Sequence, residues 1–521
     1  MDNNKSELNL SATTWNGALS NQTTGNKLLD YWCKAGTYQG RDQNVVDTDM
    51  DLLFNEDKNL ALAIVFGIRL ISRKPSLQGF QEKQVGFGQR DEFAKAVCWL
   101  HHNYPNLLYA NLHLIPVFGC WRDFFNEPLL SVLDRKKVYA LIKDNLCDNL
   151  LLKYLPQIRS GGKIRSNRDR SRSDWARGFC EILGITEKQY RKTKSAGMAH
   201  LFQRQMSAGK WDEIDFSIIP GKAMTKLMSS SQSDPRPAFE RHGQVERFIN
   251  WVRKQPQVKF TGHPHELVKA VLTRRINTSK IELYNRQFQT ILESFNGHKL
   301  GNVFCALDTS ASMNLKVCSG TTAYEICISL GIVFSALNIG HFKDHVVAFD
   351  EESALIKLCG NFTDRVYQIL QMKTAWGSTN FQSVIDLIVQ IRNAFPSIPV
   401  ADYPSTLLVL SDMQFNPVQG NSATNYRKAI AKLKKVGLGK IRIIWWFLNG
   451  AGKDFPSKIN DEGVNIVGGF DPTILKALAF PGKNHHTDTD LTQTNPLKGM
   501  LNFLNQPIFE LLNFEQPEPT R

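Results

Sequence analysis

Val303-Phe304-Cys305-Ala306-Leu307-Asp308-Thr309-Ser310-Ala311-Ser312 decides how this chain is read. An apolar run ends in a carboxylate, and hydroxyls follow at alternate positions. A short unbroken apolar run is the mark of a strand buried on both faces, as in parallel sheets. Its end delivers Asp308, Ser310 and Ser312 into the loop beyond the strand's C-terminal edge, where open α/β sheets place their ligands. Three oxygen donors at i, i+2 and i+4 suit a hard cation such as Mg²⁺, which takes octahedral oxygen coordination and keeps several waters.

Working outward from this stretch, residues 302 onward alternate strands and helices. Strands are expected at Val303–Leu307, His345–Phe349, Ala354–Leu358, Thr406–Leu410, Ile441–Leu448 and Gly463–Val467. Helices are expected at Thr322–Leu337, Thr363–Gln371, Phe381–Ala394, Tyr426–Lys435, Pro472–Ala479 and about Leu497–Leu512. That alternation predicts a doubly wound sheet. Two further pieces complete the opening site. Trp376-Gly377-Ser378-Thr379-Asn380 is a glycine turn offering a hydroxyl before a helix, and Leu407-Leu408-Val409-Leu410-Ser411-Asp412 is a second apolar strand ending in a carboxylate. Asp308, Ser310, Ser312, Thr379 and Asp412 would then form an all-oxygen shell for Mg²⁺ or another divalent cation.

Before residue 302 the texture is helical. Apolar spacing predicts helices around 27–32, 60–68, 93–100, 138–142, 219–228, 239–251, 265–272 and 281–295, with breaks at Tyr104-Pro105-Asn106, Ile115 to Gly119 and Asn126 to Pro128. Short links between helices predict an α-solenoid of antiparallel pairs. The expected organisation is a flexible lead-in over 1–25, a helical domain over 26–298, an α/β domain over 299–515 and a tail over 516–521.

The chain has 521 residues and a net charge of +14, with 42% apolar and 21% charged residues, the composition of a multidomain globular protein. Residues Lys153 to Arg204 carry thirteen Lys and Arg against four Asp and Glu, +9 of that excess. Arg159 to Ser173 lacks apolar periodicity and reads as a loop in which arginines among Gly and Ser could fork onto phosphates. Arg159, Lys163, Arg165, Arg168, Arg170, Arg172, Arg177, Arg191 and Lys192 are the candidate phosphate contacts, and Tyr190 a candidate base-stacking residue. Nine scattered cysteines without CxxC pairs point to reduced thiols and a cytoplasmic setting. No apolar run reaches transmembrane length, and the first residues lack a signal-peptide pattern. Gly161-Gly162-Lys163 lacks the spacing of a phosphate-binding P-loop. His263-Pro264-His265 reads as an exposed helix start, His485 to Asp490 as a polar loop, Cys305 as core, and Trp445-Trp446 as packing on both sheet faces.

Asp-x-Ser-x-Ser, then Gly-x-Thr, then an apolar strand ending in Asp resembles the metal-ion-dependent adhesion site of von Willebrand factor A (vWA) domains. That resemblance implies Ser310, Ser312 and Thr379 as direct or near-direct ligands, and Asp308 and Asp412 as ligands directly or through water. A partner's carboxylate would complete the shell. A helical region followed by such a domain resembles the Ro autoantigen (TROVE) proteins, and is more similar to a related family of unknown function with the same architecture. Gly86-Phe87-Gly88-Gln89-Arg90-Asp91-Glu92-Phe93, with Gln89 at a glutamate position, Pro116 to Asp123, Tyr190-Arg191-Lys192 and Ser411-Asp412-Met413-Gln414-Phe415 carry it. The resemblance implies a noncatalytic RNA-binding scaffold with a HEAT-like helical solenoid or ring, gripping small or single-stranded RNA. A protein–protein assembly module without RNA, and a Mg²⁺-dependent nuclease, remain the other readings of the same residues.

Overall fold

The structure is a computed structural model describing residues 11–73, 80, 83–160, 164–197, 201–229, 235–272, 278–295, 302–318, 320–372, 377–418, 423–479 and 495–515. The chain forms two compact units, one from residues 1–38 and 215–503 and the other from residues 39–214 and 504–521. Both are discontinuous, so the grouping divides the chain elsewhere than at 298/299, and residues 215–295 join the unit that holds the sheet. Among the described residues no helix is long and apolar enough to cross a membrane.

The strands in chain order are β1 (Ser11–Thr13), β2 (Leu19–Asn21), β3 (Val303–Asp308), β4 (Lys316–Cys318), β5 (Thr321–Thr322), β6 (His345–Phe349), β7 (Ser353–Lys357), β8 (Thr406–Ser411), β9 (Arg442–Phe447) and β10 (Val464–Gly468). Six of them form one sheet in the order β10-β9-β8-β3-β6-β7, parallel except for the β6–β7 pair at one edge. All six were legible in the sequence to within two residues at each end. They read cleanly because β3, β8 and β9 are buried at every position, and burial on both faces demands an unbroken apolar run.

The chain winds from β3 outward through β6 to β7, then returns to lay β8, β9 and β10 on the other side of β3. The direction of winding therefore reverses between β3 and β8, and their C-terminal ends bound the crevice. The helix Ala323–Leu337 crosses β3 closely: a Cβ on Gly331 would lie 2.5 Å from Leu307 Cδ2. A capping box of Thr322 and Glu325 starts this helix. Trp445 and Trp446 are fully buried on opposite sides of β9, the first against Phe381 and Phe415, the second against Phe334.

Of the lead-in expected over 1–25, residues 11–25 are ordered, and residues 1–10 lie outside the described residues. β1 and β2 pair as an antiparallel hairpin, and the helix Lys27–Ala35 that follows lies in the same unit as the sheet. His265 also departs from expectation. It is 6% exposed, stacked on His263 and edge-on to Phe470, and burial pushes its pKa down to about 3.

The second unit is helical throughout its larger elements: Gln43–Glu56, Lys58–Arg69, Asp91–Asn103, Arg135–Asp144, Asn167–Leu183 and Glu187–Ala196. Two expected breaks are helical turns instead. Pro105 and Pro116 each sit in the first turn of a short helix, where the missing N–H costs nothing.

Candidate functional site

At the switch point, β3 and β8 end in carboxylates. Asp308 is fully buried; its Oδ1 accepts from the Ser310 amide (3.0 Å) and its Oδ2 from the Ser411 hydroxyl (2.5 Å). A short 3₁₀ turn, Ala311–Asn314, then brings the Ser312 hydroxyl to 3.1 Å from that of Ser310. Asp412 is 2% exposed. Its Oδ1 accepts from the Gln414 amide (3.2 Å), whereas its Oδ2 is buried with no hydrogen-bond partner. The next residue, Met413, adopts a left-handed φ of 64°, a strained conformation for a side chain of its size. The Ser411 hydroxyl accepts from the Met413 amide (2.8 Å) and so secures that bend.

Burial pushes the Asp308 carboxyl above its usual range, and the neighbouring Asp412 charge pushes it further; the Ser411 and Ser310 donors oppose this. Asp412 is raised too, first by burial, with the Ser312 hydroxyl and the Gln414 amide opposing it. Two carboxylates held together out of water destabilise each other's charge unless a cation sits between them.

Thr379 is 1% exposed. Its amide donates to Asn416 Oδ1 (3.1 Å), and the Asn416 amide donates to its carbonyl (2.8 Å), which ties the Gly377–Asn380 turn to the loop after β8. The Asn380 amide donates to the carbonyl of Asp350, past the end of β6 (2.7 Å). Loops from β3, β6 and β8 thus converge with the turn carrying Thr379. Gly377 gives room there: an added Cβ would lie 2.8 Å from the exposed Glu351 side chain, which would have to move aside. Trp376 lies outside the described residues.

The donor set is two carboxylates and three hydroxyls. Among the described residues no group of three or more His, Cys, Asp and Glu side chains is placed to hold a metal. A buried carboxylate oxygen without a hydrogen-bond partner, beside hydroxyl oxygens, would suit a hard cation such as Mg²⁺ better than Zn²⁺. Ser411 and Gln414, which stand in the stretch that carries the family resemblance, and Asn416 hold this loop. Their bonds to Asp308, Asp454 and Thr379 reach other strands and loops, so no local pattern gives them that role.

The basic stretch is built differently from the loop expected over 159–173. Ser166 caps a helix over Asn167–Leu183, its hydroxyl accepting from the Asp169 amide (3.1 Å). Trp175, Ala176, Phe179 and Cys180 are buried and anchor the helix, and its Arg-rich first two turns extend from that anchor. Arg165, Arg168 and Arg170 are exposed. Arg168 donates to Asn126 Oδ1 (2.8 Å). Arg172 is half-buried, and its pKa is lowered by burial and then by Arg168 and Arg122.

Other candidates are already engaged. Arg159 pairs with Asp169 (2.7 Å), Arg177 with Asp174 and Glu187 (both 3.2 Å), and Arg191 with Glu187 (2.7 Å). Lys192 is exposed. Tyr190 does not offer a stacking face: it is 1% exposed, and its hydroxyl donates to the carbonyl of Pro156 (2.8 Å). Lys163 and the stretch His485 to Asp490 lie outside the described residues.

A family described as a domain of unknown function, DUF7788, matches residues 302–498, the stretch that carries the sheet and the candidate site. The chain is also similar to "Uncharacterized protein L728" of Acanthamoeba polyphaga mimivirus, 23% identical over 509 residues that cover 90% of this chain and 84% of that protein.

Proposed function

We propose that this protein is a noncatalytic scaffold whose sheet unit, a vWA-like domain, binds Mg²⁺ at Asp308, Ser310, Ser312, Thr379 and Asp412 and docks a partner's carboxylate on the ion. The observation that carries this reading is Asp412 Oδ2, a buried carboxylate oxygen with no hydrogen-bond partner of its own. Ionised, such an oxygen costs several kcal/mol unless a cation takes it up. The strand order, with a single antiparallel edge strand and the carboxylates at the switch point, agrees with the vWA resemblance. Ser310, Ser312 and Thr379 supply neutral oxygens, so the two carboxylates balance the ion's charge without exceeding it and a partner's acid can take the open position. Free, mostly buried cysteines fit a reducing, cytoplasmic setting. Calorimetric titration with Mg²⁺ tests the reading: the wild-type chain should bind one ion and Asp412→Ala none. Equal binding by both would remove the site.

The RNA-binding half of the reading is favoured by one further observation. Arg172 sits half-buried, and the charges of Arg168, Arg122 and Arg159 act against its own while Asp169 favours it. Cations crowded against one another are stabilised by an anion, and a phosphodiester backbone supplies a row of them. The Ro-like reading places small or single-stranded RNA on this helical, HEAT-like region. Binding of a single-stranded RNA should weaken steeply with salt. Replacing Arg165, Arg168, Arg170 and Arg172 together by Ala should lower the slope of log K against log[salt] by about 3. An unchanged slope and affinity would take RNA off this face.

A further inference from the structure

The hairpin β1–β2 is bonded to the loop that carries Asp412, and every link is in place within the sheet unit. The Trp15 amide donates to Gln414 Oε1 (2.7 Å), Asn16 Nδ2 donates to the Gln414 carbonyl (2.5 Å), and the Thr14 hydroxyl donates to the Phe415 carbonyl (2.6 Å). On its other side Gln414 holds the candidate ligand. Its backbone N–H donates to Asp412 Oδ1 (3.2 Å) and its side-chain Nε2 to the Asp412 carbonyl (3.4 Å).

A second route closes the circuit through Asp454. Gln414 Nε2 donates to Asp454 Oδ1 (3.2 Å), and the Ser20 hydroxyl donates to Asp454 Oδ2 (2.8 Å). β2 continues this contact along the backbone: Asn21 and Phe455 exchange amide–carbonyl bonds of 3.0 and 2.8 Å, and the Ile459 amide donates to the Thr24 carbonyl (2.8 Å). Lys34 locks the same loop by donating to the carbonyls of Gly452 and Asp454 (2.7 and 3.0 Å). Thr14, Ser20, Asn21, Gln414 and Asp454 are all under 8% exposed. The amide of Gln414 fits only one way round, because its oxygen faces an N–H donor and its nitrogen a carboxylate.

We infer that the N-terminal hairpin is a working part of the cation site, with Gln414 as the positioning residue that aims Asp412, so that ion binding and hairpin docking strengthen each other. This rests on the cation reading above. The physical reason is that Met413 is held in a left-handed conformation that the loop would relax if released. The bonds that Thr14, Trp15 and Asn16 send across to the loop after β8 reach residues 414 and 415, immediately after that bend. Groups that orient a metal ligand govern affinity without touching the ion.

The test uses the full chain with Mg²⁺ as probe. Gln414→Ala should weaken Mg²⁺ binding at least about tenfold, and Thr14→Val, which removes one hydroxyl and keeps the shape, by a smaller factor. Coupling is reciprocal. Backbone amides of residues 12–24 in the wild-type chain should therefore exchange with deuterium about tenfold more slowly when Mg²⁺ is present, and Asp412→Asn should abolish that protection. A hairpin serving only the general stability of the fold would not respond to the ion. Equal Mg²⁺ affinity in the wild-type chain and both variants, with exchange over 12–24 unmoved by Mg²⁺, overturns the hairpin's role and leaves the cation site standing. A wild-type chain that takes no Mg²⁺ overturns the cation reading and this inference with it. The exchange measurement keeps the proposal falsifiable even if Gln414→Ala does not fold.

Discussion

Asp123→Ala is expected to destabilise the unit formed by residues 39–214 and 504–521 by about 3–5 kcal/mol, the cost of removing one partner from a buried ion pair. Asp123 is 2% exposed and Arg69 1%. Arg69 Nε donates to Asp123 Oδ2 (2.7 Å) and its Nη2 to Oδ1 (3.1 Å), a bidentate pair; Arg90 Nε adds a third bond (2.8 Å) and the Cys120 amide a fourth (3.0 Å). The alanine would leave the Arg69 guanidinium buried without the carboxylate it pairs with. Gly119 makes the arrangement possible, since a Cβ there would lie 2.2 Å from Asp123 Oδ2. Urea unfolding monitored on this unit should report the loss. Arg90→Ala should cost less, because that side chain is 42% exposed. Arg69→Met placed in the Asp123→Ala background should recover much of the deficit, as an apolar side chain needs no counter-charge. A loss under about 1 kcal/mol for Asp123→Ala would contradict the account.

The second large effect concerns Asp308. Asp308→Asn is expected to stabilise the metal-free protein by about 1–3 kcal/mol near neutral pH, and to abolish stabilisation by Mg²⁺. The Ser310 amide keeps its acceptor, and the Ser411 hydroxyl can turn to accept from the new amide, so shape and hydrogen bonding survive while one of two crowded charges is lost. The pH dependence has a fixed sign. Asp308 has a folded pKa raised above its unfolded value. Without the ion its contribution to stability is complete below the ordinary carboxylate range and is lost as pH rises through the raised value. The ion favours the ionised pair, so Mg²⁺ binding releases protons and tightens with rising pH over that same interval. At Mg²⁺ a hundredfold above Kd the wild-type gain is about 2.7 kcal/mol. Urea titrations with and without Mg²⁺, from pH 5 to 8, read all of this. A wild-type Mg²⁺ effect that shrinks as pH rises would sink the two-carboxylate site.

Particular residues show where the sequence was sufficient. Phe304 to Leu307 and Leu407 to Leu410 must be apolar without a break because helices or strands cover every side, so those strands, and the carboxylates that end them, are legible in one dimension. Segments that draw stability from distant partners are not. Ser11 to Asn21 is polar and looks like a loose leader, yet it is ordered by bonds to Gln414, Asp454 and Phe455. Asn167 to Arg172 looks like a loop because the apolar anchor of its helix begins only at Trp175. Arg90 and Asp123 stand in two stretches that resembled known proteins separately, and nothing in either stretch announced that they pair. Tyr190 shows the opposite error: a tyrosine among basic residues reads as a nucleic-acid contact until its burial is seen.

The discontinuity of the two units has a consequence for the ribosome. Trp15 leaves the exit tunnel 399 residues before its partner Gln414, and at ordinary elongation rates that interval is on the order of 20–80 s. The inserted unit faces the same delay, since Val85 bonds to Gln506 and Asn111 to Asn513. The first unit cannot close until residue 414 has been synthesised, nor the second until residues 506–513 have been. The nascent hairpin, with its hydrogen-bonding edges still uncovered, is therefore the segment that a chaperone would have most reason to hold.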